Sequence, residues 1–488
     1  MISTTKNRAG FSILMLAFLY IIFLFLYIVI SNSSTGELNA IYSLMNFVSL
    51  LLLSYILYSL KKEKIGIFSP YGFFIFFMIL FNLGQSVMWG IGIHYTSEIS
   101  TSYYFRNFST KNIVLGIFIS QIMILFTHTG ALIFNRSRNL NEVSLNQNQL
   151  QLMMKIFGVV LFLISTPITL FRSYQFYSIS QIYGYSSIYY GNYIEQGGIL
   201  LYIEFLFLPS LVLLLIGFWK KKIALILVIA TYISYFLINL FAGDRGSWLY
   251  KGIILFWLIF YIYQYKIRIK SIIIGILALF FMLPFINVII ENRNNVNTVF
   301  DGNNFSEVYS IDNIKESFIS PIFEMGKSMR VQIVVLSDEL YSSWSYGNTY
   351  LAGLLGMVLP RVKTWFGFPD FYLENWYSQT YLNLNNYGEG FTNISEALLN
   401  FGPYLGVIFM GLYGFLIGSQ LIIKKKKNVS MLKLFVVTTT FASLISSTRG
   451  SLAYSLRSWF WGTVFICIVL VISTILTSRT ILVYKHER

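Results

Sequence analysis

Two Arg-Gly-Ser triplets stand in this chain, Arg245-Gly246-Ser247 and Arg449-Gly450-Ser451, each where a long apolar run ends. A guanidinium is planar and permanently charged, and it binds phosphate oxygens through two parallel hydrogen bonds. Glycine opens the backbone and serine adds a hydroxyl, so each triplet reads as half of a clamp for an anionic group such as phosphate. An arginine near hydrocarbon costs roughly 2.5–3.5 kcal/mol on insertion scales. Its plain duty there is to anchor a helix end at the interface, and its sharper one is to hold an anion. Arg172, Arg361 and Arg457 join the set, whereas Arg106 and Arg293 read as anchors or solvated side chains. Asp244 directly precedes Arg245. Neighbours in sequence do not face each other on a helix, so the partner of Asp244 lies elsewhere.

A second constellation is Tyr387-Gly388-Glu389-Gly390-Phe391-Thr392-Asn393-Ile394-Ser395-Glu396-Ala397. Ser395 or Asn393 can cap the helix that follows, and Glu396 then suits the positive end of its dipole. The alternative for Glu396 is a carboxylate that accepts the proton of a sugar hydroxyl. Glu389, between two glycines, is an equal candidate for that role. Trp365, Trp376 and the tyrosines up to Tyr387 offer aromatic faces for pyranose rings, against a plainer reading as an interfacial belt.

The elements that position these residues are membrane spans. Of 488 residues, 56% are hydrophobic and 11% charged. A soluble domain carries about 25% charged residues. Apolar runs long enough to cross a bilayer recur at roughly 11–30, 39–60, 66–88, 112–134, 153–171, 199–218, 223–241, 248–265, 271–290, 395–422, 431–447 and 457–477. The first lacks a small-residue cleavage pattern and reads as a retained anchor. The net charge of +15 lies in short clusters between these runs, among them Lys61-Lys62 and Lys424 to Lys427. Alternating the spans from a cytoplasmic N-terminus puts every such cluster inside, which argues for membrane orientation and against nucleic acid. The expected fold is an all-α polytopic membrane protein: spans one to nine in residues 1–290, a large external loop over 291–394, and spans ten to twelve in 395–488. Both Arg-Gly-Ser copies then face outward. The loop holds short apolar stretches, Val331–Leu336 and Tyr350–Leu359, that suit surface helices or a re-entrant turn. A smaller external loop, Arg172 to Gly198, is rich in tyrosine. Gly402-Pro403 and Gly406 inside span ten predict a kink or close helix packing.

Several chemistries find no motif. There is no phosphate-cradling P-loop, His94, His128 and His486 are scattered, and the single Cys467 offers no disulfide. The first external loop, Ser31 to Leu38, holds only Glu37. That speaks against glycosyltransferases that place paired catalytic acids there.

Twelve spans, one large late external loop, Asp244-Arg245-Gly246-Ser247 at the outer start of a span, and the run from Glu389 to Gly402 (Glu-Gly-Phe-Thr-Asn-Ile-Ser-Glu-Ala-Leu-Leu-Asn-Phe-Gly) together resemble the Wzy-type polymerases of O-antigen and capsular polysaccharide. The resemblance implies a GT-C-like membrane glycosyltransferase in the bacterial inner membrane, with both termini cytoplasmic. It implies an undecaprenyl-pyrophosphate-linked glycan as substrate, membrane lipid around it, a chain-length regulator as a candidate partner, and no cofactor, metal or nucleotide sugar. It assigns function to Arg245 and Arg449, and more weakly to Arg361 and Arg457. A flippase for the same lipid-linked sugar, or an O-antigen ligase, is the alternative. A flippase would place its charges mid-span, and here they gather outside with Glu204 a partial exception.

Overall fold

The computed structural model describes residues 2–95, 98–99, 107–137, 146–184, 198–244, 246–264, 283–284, 286, 311–343, 346–368, 373–384, 390–423 and 429–486. Among these, helix is the only regular structure. The long helices are α1 (Ile2–Asn32), α2 (Thr35–Lys62), α3 (Pro70–Gly90), α4 (Thr110–Ser137), α5 (Gln147–Tyr183), α6 (Gly198–Phe205) continued by α7 (Phe207–Gly217), α8 (Lys222–Phe241) and α9 (Ser247–Tyr263). The shorter α10 (Ile311–Gly326), α11 (Met329–Ser337), α12 (Asn348–Gly356) and α13 (Pro360–Trp365) follow. The chain finishes with α14 (Asn393–Leu421), α15 (Met431–Leu444), α16 (Leu452–Trp459) and α17 (Ile466–His486).

Ten helical stretches among the described residues are long and apolar enough to cross a membrane. They coincide with the expected spans one to seven and ten to twelve. The eighth is the shorter apolar helix Trp248–Tyr263. The ninth, 271–290, lies outside the described residues.

One end of the bundle is tied by basic residues. Arg136 at the end of α4 pairs with Glu63 after α2 at 2.6 Å. Lys433 of α15 donates its ammonium to the carbonyls of Ser419 and Gln420 at the end of α14. Between α2, α3 and α4 a buried polar cluster joins the helices: Ser86 donates to Asn46 at 2.8 Å, and Gln121 to Ser49 at 2.9 Å. With no water to satisfy them, such groups hold helices together in hydrocarbon.

The tightest seam runs between α4 and α14. A Cβ at Gly414 would collide with the backbone carbonyl of Thr127, one at Gly130 with the carbonyl of Gly411, and one at Gly418 would lie 2.7 Å from Ala131 Cα. Small residues let these two backbones touch. Above the seam α14 is broken: Gly402 has φ 66° and ψ −176°, followed by Pro403. Positive φ suits glycine, and proline removes an amide donor, so the pair divides α14 into an upper half, 393–401, and a lower half welded to α4. The kink expected of this stretch occurs at Gly402-Pro403 and Gly406 lies close to the Met123 side chain of α4, while the backbone seam itself lies further on, at Gly411 to Gly418.

Two stretches depart from the sequence expectation. Helix α5 continues to Tyr183 and ends at Gly184 with φ 82°, so the first part of the expected loop from Arg172 is helical. Helix α11 contains the apolar stretch Val331–Leu336, and Val331 to Val335 are fully buried. A surface helix there is thus ruled out. Its Ile333 packs on Gly116 of α4, where a Cβ would stand 2.7 Å from the isoleucine Cγ1.

Candidate active site

The upper half of α14 opens at Thr392, whose backbone is extended and whose hydroxyl accepts the Ser395 amide at 3.1 Å. Thr392 is therefore the N-cap, rather than Ser395 or Asn393, because the chain turns helical only after it. Glu396 does not cap its own helix. It is fully buried, and its two oxygens serve two other elements. Oε1 accepts the Thr349 hydroxyl of α12 at 2.7 Å, and Oε2 accepts the backbone amide of Leu452, the first residue of α16, at 2.7 Å. One turn on, Asn400 donates to Thr349 Oγ1 at 2.7 Å and accepts the Thr349 amide at 3.2 Å.

The amide that Glu396 holds belongs to the residue just after Arg449-Gly450-Ser451. Ser451 is the N-cap of α16. A second carboxylate, Glu374 from the turn Leu373–Asn375, accepts both the amide and the hydroxyl of Ser451, the latter at 3.0 Å. A Cβ at Gly450 would come within 3.0 Å of Glu374 Oε1, so glycine is what lets that carboxylate in. Two acids from segments distant in sequence thus share the positive opening of α16. The Arg449 guanidinium lies over the Phe81 ring, 5.8 Å from its centroid. A Cβ at Gly390 would lie 3.5 Å from Arg449 Nε, so the Gly-Glu-Gly stretch ends against this arginine.

The other triplet is approached through Asp244. Its Oδ1 accepts the Gly246 amide at 3.2 Å and its carbonyl accepts the Trp248 indole N–H at 2.9 Å, which shapes the turn into α9. Tyr250 of α9 stands within electrostatic reach of both Asp244 and Arg449. Arg245, Glu389 and Tyr387 lie outside the described residues. A chain of charged residues continues from Asp244. Lys251, also within its reach, donates to the Tyr235 hydroxyl at 2.7 Å and senses Glu204. Glu204 lies 3.1 Å from Nε of Arg172, which is itself buried. Asp244, Lys251, Glu204 and Arg172 thus form a polar run along α9, α6 and α5, with Arg449 within electrostatic reach of Tyr250 on the same α9.

The remaining candidates sort by position. Arg457 is buried in α16, further along the helix that Ser451 caps. Trp376 packs on Tyr381 with ring centroids 5.8 Å apart. Arg361 and Trp365 stand on α13 at the exposed surface. Beside Thr349, Tyr350 stacks on Phe401, and burial together with the Glu396 charge pushes its hydroxyl well above the usual range. Among the described residues no three His, Cys, Asp or Glu side chains gather closely enough to hold a metal ion. Glu374, Thr349, Asn400 and Tyr250 escape a reading of the sequence alone, because each meets the site through a long-range contact.

A broken half-helix bearing a buried acid, an arginine at a helix opening, and a polar region reaching into the spans is an arrangement that fits transfer chemistry on an anionic, membrane-held substrate. Comparison with curated proteins and with solved structures returned no match. A family model, O-antigen polysaccharide polymerase Wzy, matches residues 12–480. That span takes in all ten candidate membrane crossings and both Arg-Gly-Ser triplets, and by it the chain belongs to the Wzy family of O-antigen polysaccharide polymerases.

Proposed function

We propose that this polymerase joins undecaprenyl-pyrophosphate-linked repeat units at the outer face of the inner membrane, with Arg449 and Arg245 holding the donor pyrophosphate and Glu396 acting as the base. The observation that carries this reading is that Glu396 and the Arg449 triplet meet at the opening of α16. The acceptor hydroxyl oxygen attacks C1 of the donor sugar. The bond from C1 to the pyrophosphate oxygen breaks, a glycosidic bond forms, and the hydroxyl proton passes to the Glu396 carboxylate. The leaving carrier pyrophosphate takes the bonding electron pair, and the guanidinium groups stabilise its charge. Glu389 is the alternative base. Arg172 and Arg457 support the pyrophosphate region, with Asp244 shaping the turn that presents Arg245. Trp376, Tyr387 and Arg361 contact the glycan. Both termini are cytoplasmic in this reading, since the basic ends of the helices then lie inside. The reaction runs without a metal, and a chain-length regulator sets the polymer size.

The test is direct. Purified protein in proteoliposomes is given a lipid-linked repeat unit and the product is resolved on a gel. A ladder supports polymerisation. Movement of the lipid across the vesicle without a ladder overturns it in favour of a flippase. Wild-type ladders from Arg449→Ala, Arg245→Ala and Glu396→Gln together would remove these residues from the mechanism.

A further inference from the structure

Helix α12 is in contact with the site on some sides and bare on another. Thr349 reaches Glu396, Tyr350 stacks on Phe401, and Gly353 lies so close to α16 that a Cβ would stand 3.0 Å from Ala453 Cα. The opposite side carries Leu351 and Leu354, exposed and three residues apart on one helical stripe, and Val358 in the turn that follows is exposed as well. The turn and α13 extend it with Leu359, Trp365 and Phe366, the last two 76% and 64% exposed. These helices have nine and six residues. At about 1.5 Å per residue they are far too short to cross about 30 Å of hydrocarbon.

Something apolar must cover this face, and two observations say what. First, the face is continuous with the membrane-facing surface. Trp461 donates its indole N–H to the Val358 carbonyl at 3.1 Å, and Trp461 belongs to the span Leu452–Thr477, whose Phe465, Ile468 and Ile472 are exposed apolar residues. Second, the face and the Glu396 contact lie on one helix about 10–12 Å thick. A lipid-linked sugar has its hydrocarbon joined to the reacting carbon through a pyrophosphate alone, so its chain has to lie within such a distance of the base.

We propose that the outward face of the α12–α13 hairpin is the docking track for the polyprenyl chain of the lipid-linked substrate, which delivers its head group to Glu396. This rests on the polymerase reading above. Trp365 and Phe366 then lie at the interface against hydrocarbon instead of against sugar.

The experiment compares two donors carrying the same repeat unit, one on undecaprenyl pyrophosphate and one on methyl pyrophosphate, which has no chain to lie on the hairpin. The full chain is reconstituted in nanodiscs, as wild type and with Leu351→Asn plus Leu354→Asn. Two leucines lost from an apolar contact raise KM for the long-chain donor about tenfold or more. With the long-chain donor kcat holds, and with the methyl donor KM is unchanged. An equal KM rise with both donors means that the leucines act only through packing and overturns the proposal. Should the double variant unfold early by thermal melting, Leu359→Asn replaces it. In parallel, an undecaprenyl pyrophosphate bearing a diazirine in its chain is photolysed with wild type. Labelling of 351–366 that unlabelled undecaprenyl pyrophosphate competes away is expected. Equal labelling by a diazirine phospholipid means general bilayer contact and refutes the track. Altered polymer length in cells with unchanged kinetics in nanodiscs means that a protein covers the face, which also refutes it. If wild type forms no polymer from either donor, the reaction reading fails, and the labelling still decides the hairpin.

Discussion

Glu396 has two duties in this structure, and replacing it with glutamine separates them. As a structural group it receives the Thr349 hydroxyl and the Leu452 amide, both at 2.7 Å. Glutamine can keep both contacts. Its carbonyl faces the Leu452 amide, and its amide donates to Thr349 Oγ1, an oxygen that also accepts from Asn400 but has a second lone pair. What is lost is the charge assistance at two hydrogen bonds. Bonds to charged groups contribute about 1.5–3 kcal/mol and neutral ones about 0.5–1.5, so the change costs roughly 1–3 kcal/mol in stability. As a base, glutamine is inert, and removing a positioned base lowers turnover by about 10²–10⁴-fold. Glu396→Gln should therefore fold, melt a few degrees lower, and form almost no ladder. Glu396→Ala should do worse in folding, because the part-buried Leu452 amide loses its carboxylate acceptor at about 1–3 kcal/mol. The assay is thermal unfolding in detergent beside ladder formation from a lipid-linked repeat unit at matched protein. Wild-type turnover in Glu396→Gln would refute the reasoning and leave Glu396 as a pin between α12, α14 and α16.

Glu374→Ala leaves the Ser451 amide without its carboxylate and should cost about 1–3 kcal/mol. Gly450→Ala crowds the same carboxylate, so the double variant should cost little more than the worse single one, as a double-mutant cycle of melting measures. Gly414→Ala places a methyl within 2.6 Å of Thr127 backbone atoms and forces α4 and α14 apart, at about 1–3 kcal/mol or more, whereas Gly411→Ala meets nothing nearer than 3.6 Å and should be tolerated. Equal melting of the two would contradict the seam. Arg449→Lys keeps the charge but loses the planar fork, so kcat/KM should fall by roughly 10–100-fold, with Arg449→Ala falling further.

What the sequence made legible follows from the range of the forces involved. Run length and polarity are local, so ten spans could be located, α3 at 66–88 against Pro70–Gly90 being typical, while the fifth, expected at 153–171, runs on to Tyr183. The kink at Gly402-Pro403 was legible for the same reason, since both residue types act on their own backbone. Helix α11 was ambiguous because a short apolar run fits a surface and a core equally well. The site was half legible. Arg449 and Glu396 stand out by type and position, yet their meeting depends on the fold bringing the opening of α16 to the Glu396 carboxylate. Glu374 resembled any other loop acid, because the amide that it caps lies 77 residues away. One of the two local readings of Glu396 gave its charge to its own helix dipole, and the fold directs it to another helix.

The seam between α4 and α14 also bears on how the chain is made. The lower half of α14 presents a ridge of bare backbone at Gly411, Gly414 and Gly418, and above it Gly402-Pro403 interrupts the helix. A segment with interrupted backbone bonding and a buried carboxylate partitions poorly into lipid alone. The groove that receives it on α4 is translated long before α14 leaves the ribosome. Late insertion against a finished template is therefore the order of assembly to expect. A ribosome stalled before residue 393 should leave a stable, membrane-held intermediate with its α4 groove open, one that a separately synthesised C-terminal piece could complete.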